Sequence, residues 1–195
     1  MLKDILKKVT TFLGRNDLTS ELEKQDDYTK ISSESVKRDI INLITHFNFI
    51  MSSIFEHYLD LEYCDRVASN SDCQISYNMF SFKPTKILMV EDENFYNFDF
   101  VAKCDFLRVC SPNKLFLVTY KFIPPPISNL SDEVSFLNEQ RERALCYGTA
   151  SEFLCANGKF SEAKFWSDKM FSELFKIKTK KERLLKSTFC LWKKL

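Results

Sequence analysis

His46 and His57 are the first side chains to test for chemistry, since the chain has only two histidines. They lie 11 residues apart in a stretch that reads as one helix, so about three turns separate them and they cannot act as a metal pair at i, i+4. The seven cysteines are Cys64, Cys73, Cys104, Cys110, Cys146, Cys155 and Cys190. Their number is odd and no two stand at CxxC spacing, so no structural zinc site can be written from them. Cys146 and Cys155 sit in apolar runs, where a free thiol behaves as a small hydrophobe, and a reducing cytosol is the expected place of folding. A phosphate-binding loop needs two or three glycines together, but this chain has only Gly14, Gly148 and Gly158. No nucleophile elbow is present. Glu91-Asp92-Glu93 could be offered as a metal site, yet adjacent carboxylates in a hairpin turn repel and are expected to face water. Asp132 and Glu133 read as favourable charges at a helix N-terminus. The expectation is a non-enzyme without cofactor or metal.

Charge is nearly balanced over 195 residues, with 28 basic and 27 acidic, so the total makes no case for nucleic acid or membrane binding. Its distribution is uneven. Residues 176–195 hold eight Lys/Arg and one acid, a net of +7, while the other 175 carry 20 basic and 26 acidic residues, a net of −6. A basic tail on an acidic body suggests a separate partner or the acidic surface of a neighbouring copy. No stretch approaches the 18 apolar residues of a membrane span, and the N-terminal MLKDILKKVTTFLG lacks the apolar core of a signal peptide.

The elements follow from periodicity. Leu2, Ile5, Leu6, Val9, Phe12 and Leu13 predict a helix over 2–13, stopped by Gly14. Residues 16–31 are mostly polar and read as a loop. From a Ser32 or Ser33 cap, an apolar stripe from Val36 through Ile40, Leu43, Phe47, Ile50 and Ile54 to Leu59 predicts a long helix that another element must cover. Segments 74–82, 86–91, 95–101, 104–110 and 114–123 are short, aromatic and β-branched, and read as antiparallel strands. Pro124-Pro125-Pro126 forces an extended exit. Ser131 and Asp132 offer a cap for a helix running to Gly158. A second helix is expected from Ser161, with Phe160 and Phe165 forming a hydrophobic staple. Thr179-Lys180-Lys181-Glu182 reads as a capping box opening a separate terminal helix.

The predicted fold is therefore α+β, mainly α: a helical bundle over 1–62 and 124–178, an antiparallel hairpin- or sandwich-like β insert over 63–123, and an amphipathic tail helix over 179–195. The tail would set Leu185, Phe189 and Trp192 on one face and Lys180, Lys181, Arg183 and Lys186 around it. Large apolar residues appended to a complete bundle suit an interface anchor.

The segment Glu142 to Leu174, ERALCYGTASEFLCANGKFSEAKFWSDKMFSEL, is the most distinctive. With the aromatic strand and prolines before it, it resembles the C-terminal half of the head-to-tail adaptor proteins of tailed bacteriophages. The matching residues are Ala144-Leu145, Tyr147-Gly148, Ala150, Glu152-Phe153-Leu154, Glu162-Ala163, Trp166 and, one place late, Phe171. The opening Phe12 to Leu18 is also similar to such adaptors. The resemblance covers about two-thirds of the chain and is weakest over 63–123. It implies a virion protein of the neck, made in the host cytoplasm, that forms a ring of about twelve copies beneath the portal protein. That ring would join a downstream neck or tail protein and let genomic DNA pass without sequence readout. It also implies that the C-terminal segment reaches between portal subunits, which assigns portal docking to Lys180, Lys181, Arg183, Leu185, Lys186, Phe189 and Trp192. The same helical hairpin fits a second class, a tetratricopeptide-like adaptor binding peptides. Such repeats need neighbours at a period near 34 residues, and one unit is readable here.

Overall fold

The computed structural model describes residues 1–134 and 136–192, with side chains as far as Thr179. Over these residues it is α+β and mainly α: five helices and six short strands in two antiparallel sheets. The chain divides into a helical unit, residues 1–58 and 126–195, and a β unit, residues 59–125.

In the helical unit α1 (Leu2–Phe12) buries Leu2, Ile5, Leu6 and Val9, the i, i+3, i+4, i+7 set of one helical face. Its first N–H groups have no partner within the helix. The chain supplies them from afar, with Leu2 N–H donating to the Asp132 carbonyl at 2.9 Å and Lys3 N–H to the Leu130 carbonyl at 3.0 Å. Gly14 follows with φ +65°, a conformation that costs glycine little. Residues 16–31 differ from the expected loop: α2 (Asn16–Lys24) buries Leu18 and Leu22, one turn apart, and a 3-10 turn covers Tyr28–Lys30. Two leucines are too few to raise a periodic signal. The Arg15 guanidinium adds what periodicity cannot show, gripping both Asp17 oxygens at 2.8 and 2.6 Å and Asp39 of the next helix at 2.8 Å.

Helix α3 (Glu34–His57) buries Ile40, Leu43, Ile44, Phe47, Ile50, Met51, Ile54 and Phe55. Helix α4 (Glu139–Ala156) starts later than expected. Its cap is Asn138, whose side chain accepts from Arg141 N–H, whereas Asp132 accepts from the N–H groups of Ser128 and Asn129 in a turn. Helix α5 (Phe160–Trp192) follows after Gly158, at φ +76°. It begins one residue before Ser161, so Phe160 is its first residue rather than a staple before it. Both Phe160 and Phe165 are exposed.

Gly148 marks where three helices meet. A Cβ there would lie 2.6 Å from Ile50 Cγ2 of α3 and 2.7 Å from Met170 Sδ of α5, closer than carbon atoms can approach without displacement. The α4–α5 hairpin is antiparallel, as Ser151 to Ala163, Tyr147 to Trp166 and Arg143 to Glu173 run in opposite order along the two helices.

The β unit holds sheets β1-β6-β3 and β2-β5-β4, with β1 (Glu62–Ala68), β2 (Gln74–Ser76), β3 (Pro84–Glu91), β4 (Val101–Ala102), β5 (Phe106–Arg108) and β6 (Leu115–Phe122). Central β6 buries every second residue, Phe116, Val118, Tyr120 and Phe122. Strand β1 was not expected. Its sequence EYCDRVA mixes charge with few apolar residues because only Val67 of it is buried. The predicted strand over 95–101 reduces to Val101–Ala102, and Tyr77–Met79 is a 3-10 turn.

Candidate docking surfaces

Among the described residues, those that could do acid–base or metal chemistry do not converge. His46 lies half-buried with its ring edge-on to Phe153 at 6.3 Å, and burial holds its pKa below the ordinary value. His57 is exposed beside Glu56 and Tyr58. Among the described residues no group of three His, Cys, Asp or Glu could hold a metal, and no helix is long and apolar enough to cross a membrane.

The α4–α5 hairpin sorts the distinctive segment by burial. Ala144, Leu145, Ala150, Phe153, Leu154 and Ala163 are core. Tyr147 and Trp166 are half-buried and stack at 5.5 Å, with Phe12 of α1 stacking on Trp166 at 5.0 Å. The Lys169 ammonium lies 5.0 Å from the Trp166 ring and 4.5 Å from Phe165, an attraction set by the ring quadrupole. Glu162 and Phe171 face outward.

Below this cluster one face of α5 stays apolar in water. Phe171 and Phe175, one turn apart, are 46% and 68% exposed. Tyr58, the C-cap residue of α3, meets Phe171 edge-on at 5.9 Å and widens the patch. Lys164 and Lys178 flank it and have no ion pair among the described residues. Periodicity did not mark this patch: the buried stripe it picks out runs through Ala163, Trp166, Met170, Leu174 and Ile177, and it gives no sign that the phenylalanines beside it form a surface of their own.

Where a second helix was expected to open at Thr179, α5 continues unbroken to Trp192. Thr179 Oγ1 donates back to the carbonyls of Phe175 and Lys176, each at 3.0 Å, as a hydroxyl does inside a helix rather than at its cap. The capping box needs Thr179 outside the helix, and tertiary packing up to Ile177 carries the helix through it. The expected docking side chains Lys180, Lys181, Arg183, Leu185, Lys186, Phe189 and Trp192 lie outside the residues whose side chains are described.

A second aromatic surface lies at the tip of the β unit. The Asp92–Tyr96 loop is closed by its first residue. Asp92 N–H donates to Tyr96 O, its carbonyl accepts from Phe95 N–H, and its Oδ1 accepts from the N–H groups of Asn94 and Tyr96. Asp92 is 7% exposed, and Lys114 Nζ donates to its Oδ2 at 3.1 Å while lying 4.3 Å from the Phe98 ring. The water-facing turn expected of Glu91-Asp92-Glu93 is thus corrected at Asp92: the carboxylate turns inward, where two loop N–H groups, of Asn94 and Tyr96, and the Lys114 ammonium donate to it. Desolvation works to raise its pKa, and the Tyr96 N–H, Lys114 and Asn94 N–H bonds outweigh it, so it titrates below the ordinary range. Glu93 pairs instead with Arg66. The loop throws Phe95 and Tyr96 outward, 71% and 68% exposed.

Compared with known proteins, the chain matches no family model and no curated sequence.

Proposed function

We propose that this chain is a structural adaptor of the head-to-tail junction of a tailed bacteriophage, assembling as a ring beneath the portal. The observation that carries the reading is the disparity within the α4–α5 hairpin. Helix α4 has 18 residues and α5 has 33. Their antiparallel register, with Arg143 beside Glu173, brings the start of α4 level with about residue 177. The remaining 15 residues of α5, about 22 Å of helix, run beyond it. In sequence this part is strongly basic and ends in Phe189 and Trp192. A helix anchored in a core at one end and extended at the other suits insertion between subunits of a larger ring. The Gly148 crossing supports the same reading, since it is the small-residue contact that the resemblance rests on.

The test is to mix the protein with the portal ring encoded by the same genome and measure mass by gel filtration with light scattering. A complex of portal with many copies of this chain is expected. A chain that stays monomeric and ignores that portal would sink the reading.

A further inference from the structure

Two exposed aromatic surfaces of opposite charge are described above, and each has a feature that folding alone does not account for. At the tip of the β unit, Phe95 has φ +62°. It occupies the fourth position of its loop, where a left-handed backbone favours glycine or asparagine. The loop Asn70–Gln74 provides the comparison. Asn70 plays the part of Asp92, its Oδ1 accepting from Asp72 and Gln74 N–H and its carbonyl from Cys73 N–H, with Cys73 at φ +60°. Both loops bear the strained position, but Cys73 is half-buried whereas Phe95 puts a whole ring into water. A strained, outward phenylalanine on a loop locked by a buried carboxylate is what a preformed anchor requires. The surrounding segment 91–102 holds Glu91, Asp92, Glu93 and Asp99 and no base. Glu91 and Asp99 have no ion pair among the described residues.

On α5, Phe171 and Phe175 stand between Lys164 and Lys178, which also lack ion pairs among the described residues. The positions 164, 171, 175 and 178 follow helical spacing and share one face with the exposed Asp168, so the face carries two lysines against one acid.

The geometry points to these surfaces as the two halves of one contact between copies of this chain: the Phe95–Tyr96 tip of one copy seats on Phe171 and Phe175 of the next, with Glu91 and Asp99 facing Lys164 and Lys178. The contact is head-to-tail, so it closes into a ring or runs on as a filament according to its rotation. It deepens the adaptor reading and rests on that reading for ring closure alone. Two rings against two rings make a small interface, of the transient class. The contact is therefore weak for an isolated pair and gains from repetition around a closed assembly.

The experiment replaces Tyr96 by a photo-crosslinking benzoylphenylalanine in the full chain. Equal amounts of isotopically heavy and light protein are mixed at about 0.5 mM, where weak contacts are populated, and irradiated without portal and again with it. The expected product is a heavy–light adduct between the tip and a peptide within 164–178. The surface pair Lys164→Glu with Lys178→Glu should lower its yield about tenfold, and Glu91→Lys with Asp99→Lys in the tip should restore it. Cys73→Gly should leave it unchanged. Adducts that map elsewhere, or only within one copy, or none under either condition, overturn the proposal. A heavy–light adduct from a chain that never binds portal leaves this contact standing and sinks the adaptor reading. Portal binding without the adduct does the reverse.

Discussion

The Tyr120 hydroxyl donates to Asp65 Oδ2 at 2.6 Å while accepting from Phe82 N–H at 3.1 Å, so one buried phenol joins β1 to the segment before β3. Asp65 is further held by Ser81, whose N–H and hydroxyl each donate to it at 2.7 Å. Tyr120→Phe removes a donor and an acceptor at once and leaves Phe82 N–H and Asp65 short of partners. It should destabilise the β unit by about 1–3 kcal/mol, read as a lower denaturant midpoint with unchanged slope.

The same site gives a pH dependence. Desolvation works to raise the pKa of Asp65, but the Tyr120 and Ser81 hydrogen bonds outweigh it, and the group titrates below its ordinary 3.8. A carboxylate with a depressed folded pKa contributes stability that is present above its unfolded pKa and lost as pH falls through the folded value. Stability should therefore fall from about pH 4 downward. Asp65→Asn should be less stable at pH 7 and show a shallower loss between pH 4 and 2. An equal acid slope in both proteins would show that Asp65 does not carry it.

Gly148→Ala should destabilise the helical unit. Alanine gains up to about 1 kcal/mol of helix propensity, but overpacking against Ile50 and Met170 costs about 1–3 kcal/mol. The size of the loss is set by how far Met170 Sδ can retreat, since the β-branched Ile50 cannot swing its Cγ2 away. Thermal denaturation followed at 222 nm should show an earlier transition, and a later one would refute the crossing as drawn.

Cys73→Gly and Phe95→Gly should each relieve a left-handed backbone. A non-glycine residue there costs about 1–2 kcal/mol, partly offset by the entropy glycine adds to the unfolded chain, so each should stabilise by about 0.5–1 kcal/mol. The pair differs in association, where only Phe95→Gly removes a docking ring.

Among the six described cysteines, Cys146 should be the last to react. Burial pushes its thiol up to about 12, so almost no thiolate exists at pH 8, and the side chain is 2% exposed. Cys64, Cys104, Cys110 and Cys155 are exposed. Iodoacetamide followed by peptide mass spectrometry should label these within minutes and Cys146 only with unfolding.

Much of this architecture was legible from periodicity, because α1, α3 and central β6 bury one face each and leave a clean 3.6 or 2.0 repeat. What was not legible depends on partners distant in sequence. Helix α2 shows two leucines, and its hold on α3 comes from Arg15 to Asp39. Strand β1 shows one buried side chain and exists because β6 offers a ladder, Glu62 opposite Lys121 through Ala68 opposite Leu115. The tip was misjudged for a similar reason: Asp92 looks like a solvated acid until Lys114, 22 residues on, is placed beside it. The two left-handed loops had a local signal, Asn70-Ser71-Asp72-Cys73 and Asp92-Glu93-Asn94-Phe95, an Asx two residues before another Asx. In a chain with three glycines, side-chain capping does the work that glycine does elsewhere.

The unbroken passage of α5 through Thr179 has a mechanical meaning. A second helix joined at a cap would swivel there, and a load on its far end would be spent in rotating the joint. A single helix has no such joint, because its carbonyl-to-amide ladder continues from Phe160 to Trp192. It behaves as a cantilever clamped where Gly148 lets α3, α4 and α5 close on one another. Torque applied beyond residue 179 is delivered to that clamp, and the part of the molecule that must resist it is the one packed too tightly to admit a methyl group.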